Sequence, residues 1–212
     1  MSRYAAQKKQ VVEACLTLAD RGYLAGIGGN LALRLDDGHF AVTPSAADYY
    51  AMRADDICVL RLNTLEKVEG DLKPSVESGL HAAMLRYHRQ HGASVHTHQP
   101  LASAVALIDH DIPLLPGDSL GEKVALIPYA PSGTGLLVLA LARRLRPDLS
   151  AYLLRNHGVI CAASSLDAAI GAVSRIETSA GRLLNALTGR QPEPHPALAA
   201  LIQTALQPGP VA

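Results

Sequence analysis

Residues 30–42 read Asn-Leu-Ala-Leu-Arg-Leu-Asp-Asp-Gly-His-Phe-Ala-Val. Leu31, Leu33 and Leu35 alternate with Ala32 and Arg34, so an extended chain turns its leucines to one face. Asp36-Asp37-Gly38 then supplies turn chemistry, and the apolar pattern resumes at Phe40 and Val42. That combination predicts a β-hairpin. A turn this short joins antiparallel neighbours and leaves no room for a parallel crossover. Tyr152–Leu154 and Val159–Cys161 repeat the arrangement around Arg155-Asn156-His157-Gly158. Further strands are expected at Ile57–Leu62, Ala93–His98 and Val124–Ile127.

Helical spacing fills the intervals. Val11, Val12, Cys15, Leu16 and Leu18 place a helix over about 3–19, with Gly22 positioned to close it. Pro74 and Ser75 open a helix running towards His91. Others are expected at Leu101–Leu107 and Gly133–Arg146, with 109–121 an irregular loop. Ser165 caps a long amphipathic helix through Leu187. Pro192, Pro194 and Pro196 break it before a short final helix near Leu198–Leu206. The expected organisation is one domain over 1–190, followed by the proline-rich break and short helix of 191–212. Its class is α/β, with layers around a mixed, mostly antiparallel sheet.

Composition excludes several roles. The chain carries 19 Lys and Arg against 19 Asp and Glu, for zero formal net charge. No basic stripe invites nucleic acid or an anionic membrane. One Phe and no Trp leave little to stack bases on. No apolar run approaches the ~20 residues of a membrane span, and the N-terminus lacks a signal-peptide core. Cys15, Cys58 and Cys161 are odd in number, far apart and set among apolar neighbours. They suit buried free thiols in a cytoplasmic protein.

His96-Thr97-His98 is the sharpest chemical feature. Side chains at i and i+2 of a strand share a face, so both imidazoles can converge on one metal ion. His157 sits in a tight turn beside Gly158, either as a third ligand or as a turn histidine on a nearby carbonyl. Glu77 follows Pro74-Ser75 at a helix start, where a carboxylate either complements the helix dipole or reaches a metal. His88 and His91 lie among Arg86, Arg89 and Gln90 and are expected to face solvent, as are His39, His110 and His195; His81 is expected in the core or behind the site. Gly26-Ile27-Gly28-Gly29 precedes a strand and not a helix, so it fails the context of a dinucleotide fingerprint. With Asn30, Thr43, Ser45 and Ser75 it offers either an anion pocket or ordinary turn and cap chemistry.

Together, Gly28-Gly29-Asn30, Thr43-Pro44-Ser45, Lys73-Pro74-Ser75-Val76-Glu77, His96-Thr97-His98 and Asn156-His157-Gly158 resemble, in order and spacing, the class II aldolase/adducin family, fuculose-phosphate aldolases included. The resemblance spans about Ala6 to Leu187. It implies a three-layer α/β/α fold and a divalent ion, zinc foremost, on His96, His98 and His157 with Glu77 as the acidic fourth group. It also implies homotetramers with active sites between subunits, and a substrate-phosphate pocket at Gly29, Asn30, Thr43, Ser45 and Ser75. The implied reaction is aldol cleavage or condensation of a ketose phosphate or related hydroxy-carbonyl compound through a metal-stabilised enediolate, with Glu77 as base. A decarboxylase, dehydratase or epimerase would use the same ligands, and adducin-like relatives use the fold as a non-catalytic association module. The chain departs from the aldolase pattern at Val76, where a second serine is usual, and at Ala46, where a glycine is. It also lacks the tyrosine in the loop after the His-x-His helix, leaving Asp118 or Glu122 as the second acid/base group, and has no tyrosine after Tyr152.

Overall fold

The hairpin forms as read. In the computed structural model, which describes residues 2–24, 26 and 28–190, β1 (Asn30–Arg34) pairs antiparallel with β2 (His39–Val42), Ala32 opposite Val42 and Arg34 opposite Phe40. The other strands are β3 (Cys58–Arg61), β4 (Lys67–Glu69), β5 (Ala93–Thr97), β6 (Ile112–Pro113), β7 (Lys123–Ile127), β8 (Ala151–Leu154) and β9 (Gly158–Ala163). They make a nine-stranded sheet in the order β4-β3-β2-β1-β5-β9-β8-β7-β6. Every neighbouring pair is antiparallel except β7–β8.

Strand alternation divides the core into two layers. Leu31, Ala41, Val95, Leu153, Val159 and Cys161 face one side of the sheet. There they pack against Val11 and Leu18 of α1 (Ala5–Asp20), Val105 of α3 (Pro100–Leu107) and Val173 and Ile176 of α5 (Leu166–Arg190). Their neighbours Ala32, Phe40, Val42, Tyr152, Leu154 and Ile160 face the other side. They meet Leu80, Met84 and Leu85 of α2 (Ser78–Tyr87) and Leu137 and Leu141 of α4 (Gly135–Ala142). Each large side chain buried this way contributes about 1.5–3 kcal/mol, so the period-2 register dictates the three-layer α/β/α arrangement.

Local signals close the helices where expected. Gly22 adopts φ +72°, and Gly22 N–H donates to the Ala19 carbonyl while Tyr23 N–H donates to Leu18, the paired bonds of a Schellman cap. Ser165 Oγ accepts from Ala168 N–H at 3.2 Å at the start of α5. Two expected helices are shorter. Pro74 is held in a bridge to Pro44 and Ser75 N–H donates to the Thr43 carbonyl, so the chain stays extended there and α2 begins only at Ser78. It ends at Tyr87, not near His91, and α4 ends at Ala142. β4 and β6 were not expected: one is a charged, mostly exposed edge of three residues, the other two residues long. The expected helix near Leu198–Leu206, the proline break and His195 lie outside the described residues.

His88 corrects another expectation. It is 2% exposed, because the early end of α2 folds it inward against His91, which is itself half-buried rather than solvent-facing and whose ring nitrogen reaches Ser150 Oγ at 2.8 Å. Cys15, Cys58 and Cys161 are buried free thiols.

Candidate metal centre and cleft

β5 occupies the middle of the sheet, and all five of its residues are buried. This fixes His96 in a rigid, dry setting. Its Nδ1 lies 2.7 Å from the Val159 carbonyl of the paired strand β9. A carbonyl only accepts, so Nδ1 carries the proton and Nε2 keeps its lone pair. His98 Nε2 stands 2.9 Å from His96 Nε2. His157 comes from the β8–β9 turn, where Asn156 takes φ +56° and Gly158 lets the turn close on β5. One ligand nitrogen from each of the three histidines lies within 4.8 Å of the others.

Glu77 completes the group. It is the residue before α2, and its side chain makes no capping bond to that helix but turns toward the histidines. Its Oε2 lies 3.2 Å from His96 Nε2 and its Oε1 3.3 Å from His157 Nε2. Asn30 Nδ2 donates to Oε2 and Ser132 Oγ to Oε1, each at 2.9 Å.

Protonation states follow from burial. Desolvation pushes His96, His98 and His157 below the ordinary imidazole value, the Glu77 charge pulling the other way. All three are neutral at pH 7, as metal ligands must be. Burial works against ionised Glu77, but the neighbouring imidazoles and the Asn30 and Ser132 donors outweigh it and hold the carboxyl below its usual range. Three neutral imidazoles and one carboxylate converging in this way fit a divalent ion.

The site opens into a cleft of about 230 Å³ whose walls include Gly29, Asn30, Ser45, Ser75, Glu77 and His157. Ser45 and Ser75 therefore line the same cleft as His98 and His157. Thr43 is fully buried, its Oγ1 accepting from Leu31 N–H at 3.3 Å; it holds β1 to β2 from behind the cleft. Ser75 Oγ accepts from Glu77 N–H. Asp118 is not among the cleft's described lining residues. It is ion-paired with Arg175 at 2.9 Å and, although burial raises its pKa, that partner and the Leu120 N–H keep it below the ordinary carboxylate value.

Sequence reasoning passed over Ser132 and Tyr49. Ser132 lies in Pro131-Ser132-Gly133-Thr134, just before α4, a cap-like signal that says nothing of a carboxylate 55 positions away. Tyr49 donates to the Gly29 carbonyl at 2.6 Å and so fixes the glycine-rich wall.

The sequence and fold also match known proteins. Residues 9–184 match the family described as the Class II Aldolase and Adducin N-terminal domain. The chain is 30% identical over 174 residues to 5-deoxy-D-ribulose 1-phosphate aldolase of Bacillus thuringiensis serovar kurstaki, covering 81% of each chain. It is 30% identical over 200 residues to 3-oxo-tetronate 4-phosphate decarboxylase of Haemophilus influenzae, covering 88% of this chain and 90% of that one. Among solved structures it superposes on an L-fuculose 1-phosphate aldolase with a TM-score of 0.80 at 25% identity, covering 96% and 97% of the two chains. The chain belongs to the class II aldolase/adducin family.

Proposed function

We propose that this chain is a divalent-metal-dependent aldolase-type lyase, acting on a ketose phosphate or a related hydroxy-carbonyl compound. The observation that carries this reading is the convergence of three neutral imidazoles and an ionised carboxylate at the floor of a cleft. His96, His98, His157 and Glu77 would hold the ion, with zinc favoured by the nitrogen-rich donor set. When bound, it supplies Lewis acidity toward a substrate oxygen, worth several kcal/mol of charge stabilisation. Glu77 would take a hydroxyl proton from substrate in the cleft, and Ser132, which donates to its Oε1, would steady the carboxylate as it does so. Ser45, Ser75 and Gly29 would receive the anionic end of the substrate, with Asn30 at the edge of that pocket and Thr43 shaping it from behind.

Asp118 is poorly placed to be the second acid/base group within its own chain, because Arg175 holds it ionised. A homotetramer with the active site between subunits is supported by exposed apolar side chains: Val76, which lines the cleft, and Tyr129 and Leu136 are each 60% exposed or more. No helix among the described residues is long and apolar enough to cross a membrane, and a cytoplasmic location suits the three free thiols.

Decarboxylation is the second reading, favoured by the decarboxylase relative and the missing loop tyrosine. A panel of ketose phosphates, unphosphorylated hydroxy-ketones and hydroxy-acids, assayed for aldehyde and carbon dioxide, separates the two. Aldehyde release is expected; carbon dioxide alone would sink the aldolase reading.

A further inference from the structure

Behind Glu77 runs a buried chain of hydrogen bonds that metal ligation does not use. Asn30 Oδ1 lies 2.6 Å from His81 Nε2, and His81 Nδ1 lies 2.9 Å from Ser94 Oγ. His81 and Ser94 are fully buried and Asn30 is 6% exposed. Three elements contribute. His81 sits one helical turn after Glu77 on α2, Ser94 lies two residues before His96 on β5, and Asn30 on β1 is the cross-strand partner of His96.

Elementary bonding rules fix the direction of every link. The Glu77 carboxylate only accepts, so Asn30 must turn its amide nitrogen to Oε2 and its carbonyl oxygen to His81. That oxygen also only accepts, so His81 Nε2 carries the proton. A neutral ring then leaves Nδ1 as an acceptor for the Ser94 hydroxyl. Burial, which pushes His81 down to about 4, agrees with neutrality. The imidazole thus removes the ambiguity of the Asn30 amide, whose two ends are nearly equal in size.

We propose that His81 is a positioning residue: its Nε2–H holds the Asn30 amide so that Nδ2 donates to Glu77 Oε2, leaving Oε1, beside Ser132 and the cleft, as the oxygen that accepts the substrate proton. This rests on the metal-site reading above. With His81 unable to donate, Asn30 can present its oxygen to the carboxylate, and Glu77 loses both its support and its fixed rotamer.

The test is a double-mutant cycle. His81→Leu removes the donor at similar volume, His81→Gln retains one, and Asn30→Ala removes the link. Divalent-ion affinity is read by titration with Co2+, and thermal unfolding is followed on the metal-free proteins. His81→Leu is expected to weaken Co2+ binding by about 10-fold, the lower end for losing a partner that orients a ligand. His81→Gln should recover most of that loss, and His81→Leu should add nothing to Asn30→Ala in Co2+ affinity and less than its single-variant cost in unfolding, where the lost Ser94 bond remains. Additive effects in both would overturn the proposal and make His81 a packing residue, as would wild-type Co2+ affinity in His81→Leu. If the wild-type chain binds no Co2+, the metal reading fails while the unfolding cycle still decides the His81–Asn30 link.

Discussion

Gly158→Ala tests how tightly the His157 turn is closed on the histidine strand. A Cβ at Gly158 would meet His98 Cδ2 at 2.7 Å and His96 Cε1 at 3.3 Å, and the Thr97 carbonyl oxygen closer still. Two of these neighbours are candidate ligands and the third is backbone of the central strand, so none yields cheaply. Gly158 has no positive φ, and the effect is one of space alone. Overpacking of a well-filled interior costs typically 1–3 kcal/mol, and a backbone clash puts this case near the top, at about 3 kcal/mol. For a chain of this length that lowers the melting temperature by roughly 6–12 °C. Relief comes by moving β9 away from β5, which pulls His157 from Glu77, so ion affinity should fall by about 10-fold or more. Gly135→Ala is the control. It starts α4 with open space around its Cα and should raise stability by about 0.5 kcal/mol. Calorimetry and metal titration read both variants. A Gly158→Ala protein that melts with the wild type and binds the ion equally well would refute the close-approach argument.

Other expectations follow from single contacts. Ser165→Ala removes the Oγ that accepts from Ala168 N–H; it should cost about 1 kcal/mol with no change in metal content, checked by thermal melts and elemental analysis. Glu77→Gln keeps shape and loses the base, so turnover should fall by about 10²-fold or more in a protein whose circular dichroism is unchanged. Burial holds His81 and His91 at about 4 in the folded chain against an ordinary 6.5. The unfolded state therefore binds more protons below 6.5, and stability falls as pH drops through that window towards 4. Metal-free protein should melt lower at about pH 5 than at about pH 7.5; equal or higher melting at the acid value would contradict the buried, neutral histidines.

The parts of this molecule legible in the sequence are those whose signal is local. Leu31-Ala32-Leu33 alternates because one face of β1 meets α1 and the other meets α2, and Asp-Gly marks the turn. His96 and His98 are readable because strand geometry alone aligns them. Lys67–Glu69 carries a single apolar side chain, Val68, too little for a pattern, and becomes a strand only because β3 offers an edge. The start of α2 was misplaced because Pro74 and Ser75, good helix openers, are held extended by bonds to the Thr43 region. The two donors that hold Glu77 could not be read as such. Asn30 and Ser132 reach it across 47 and 55 positions, and neither spacing leaves a periodic trace.

The central claim is that His96, His98, His157 and Glu77 hold a divalent ion required for activity. Elemental analysis of purified wild-type protein beside His96→Ala addresses it most directly. About one ion per chain is expected in the wild type, and its loss together with activity in the variant. Full metal content and full activity in His96→Ala would contradict the account.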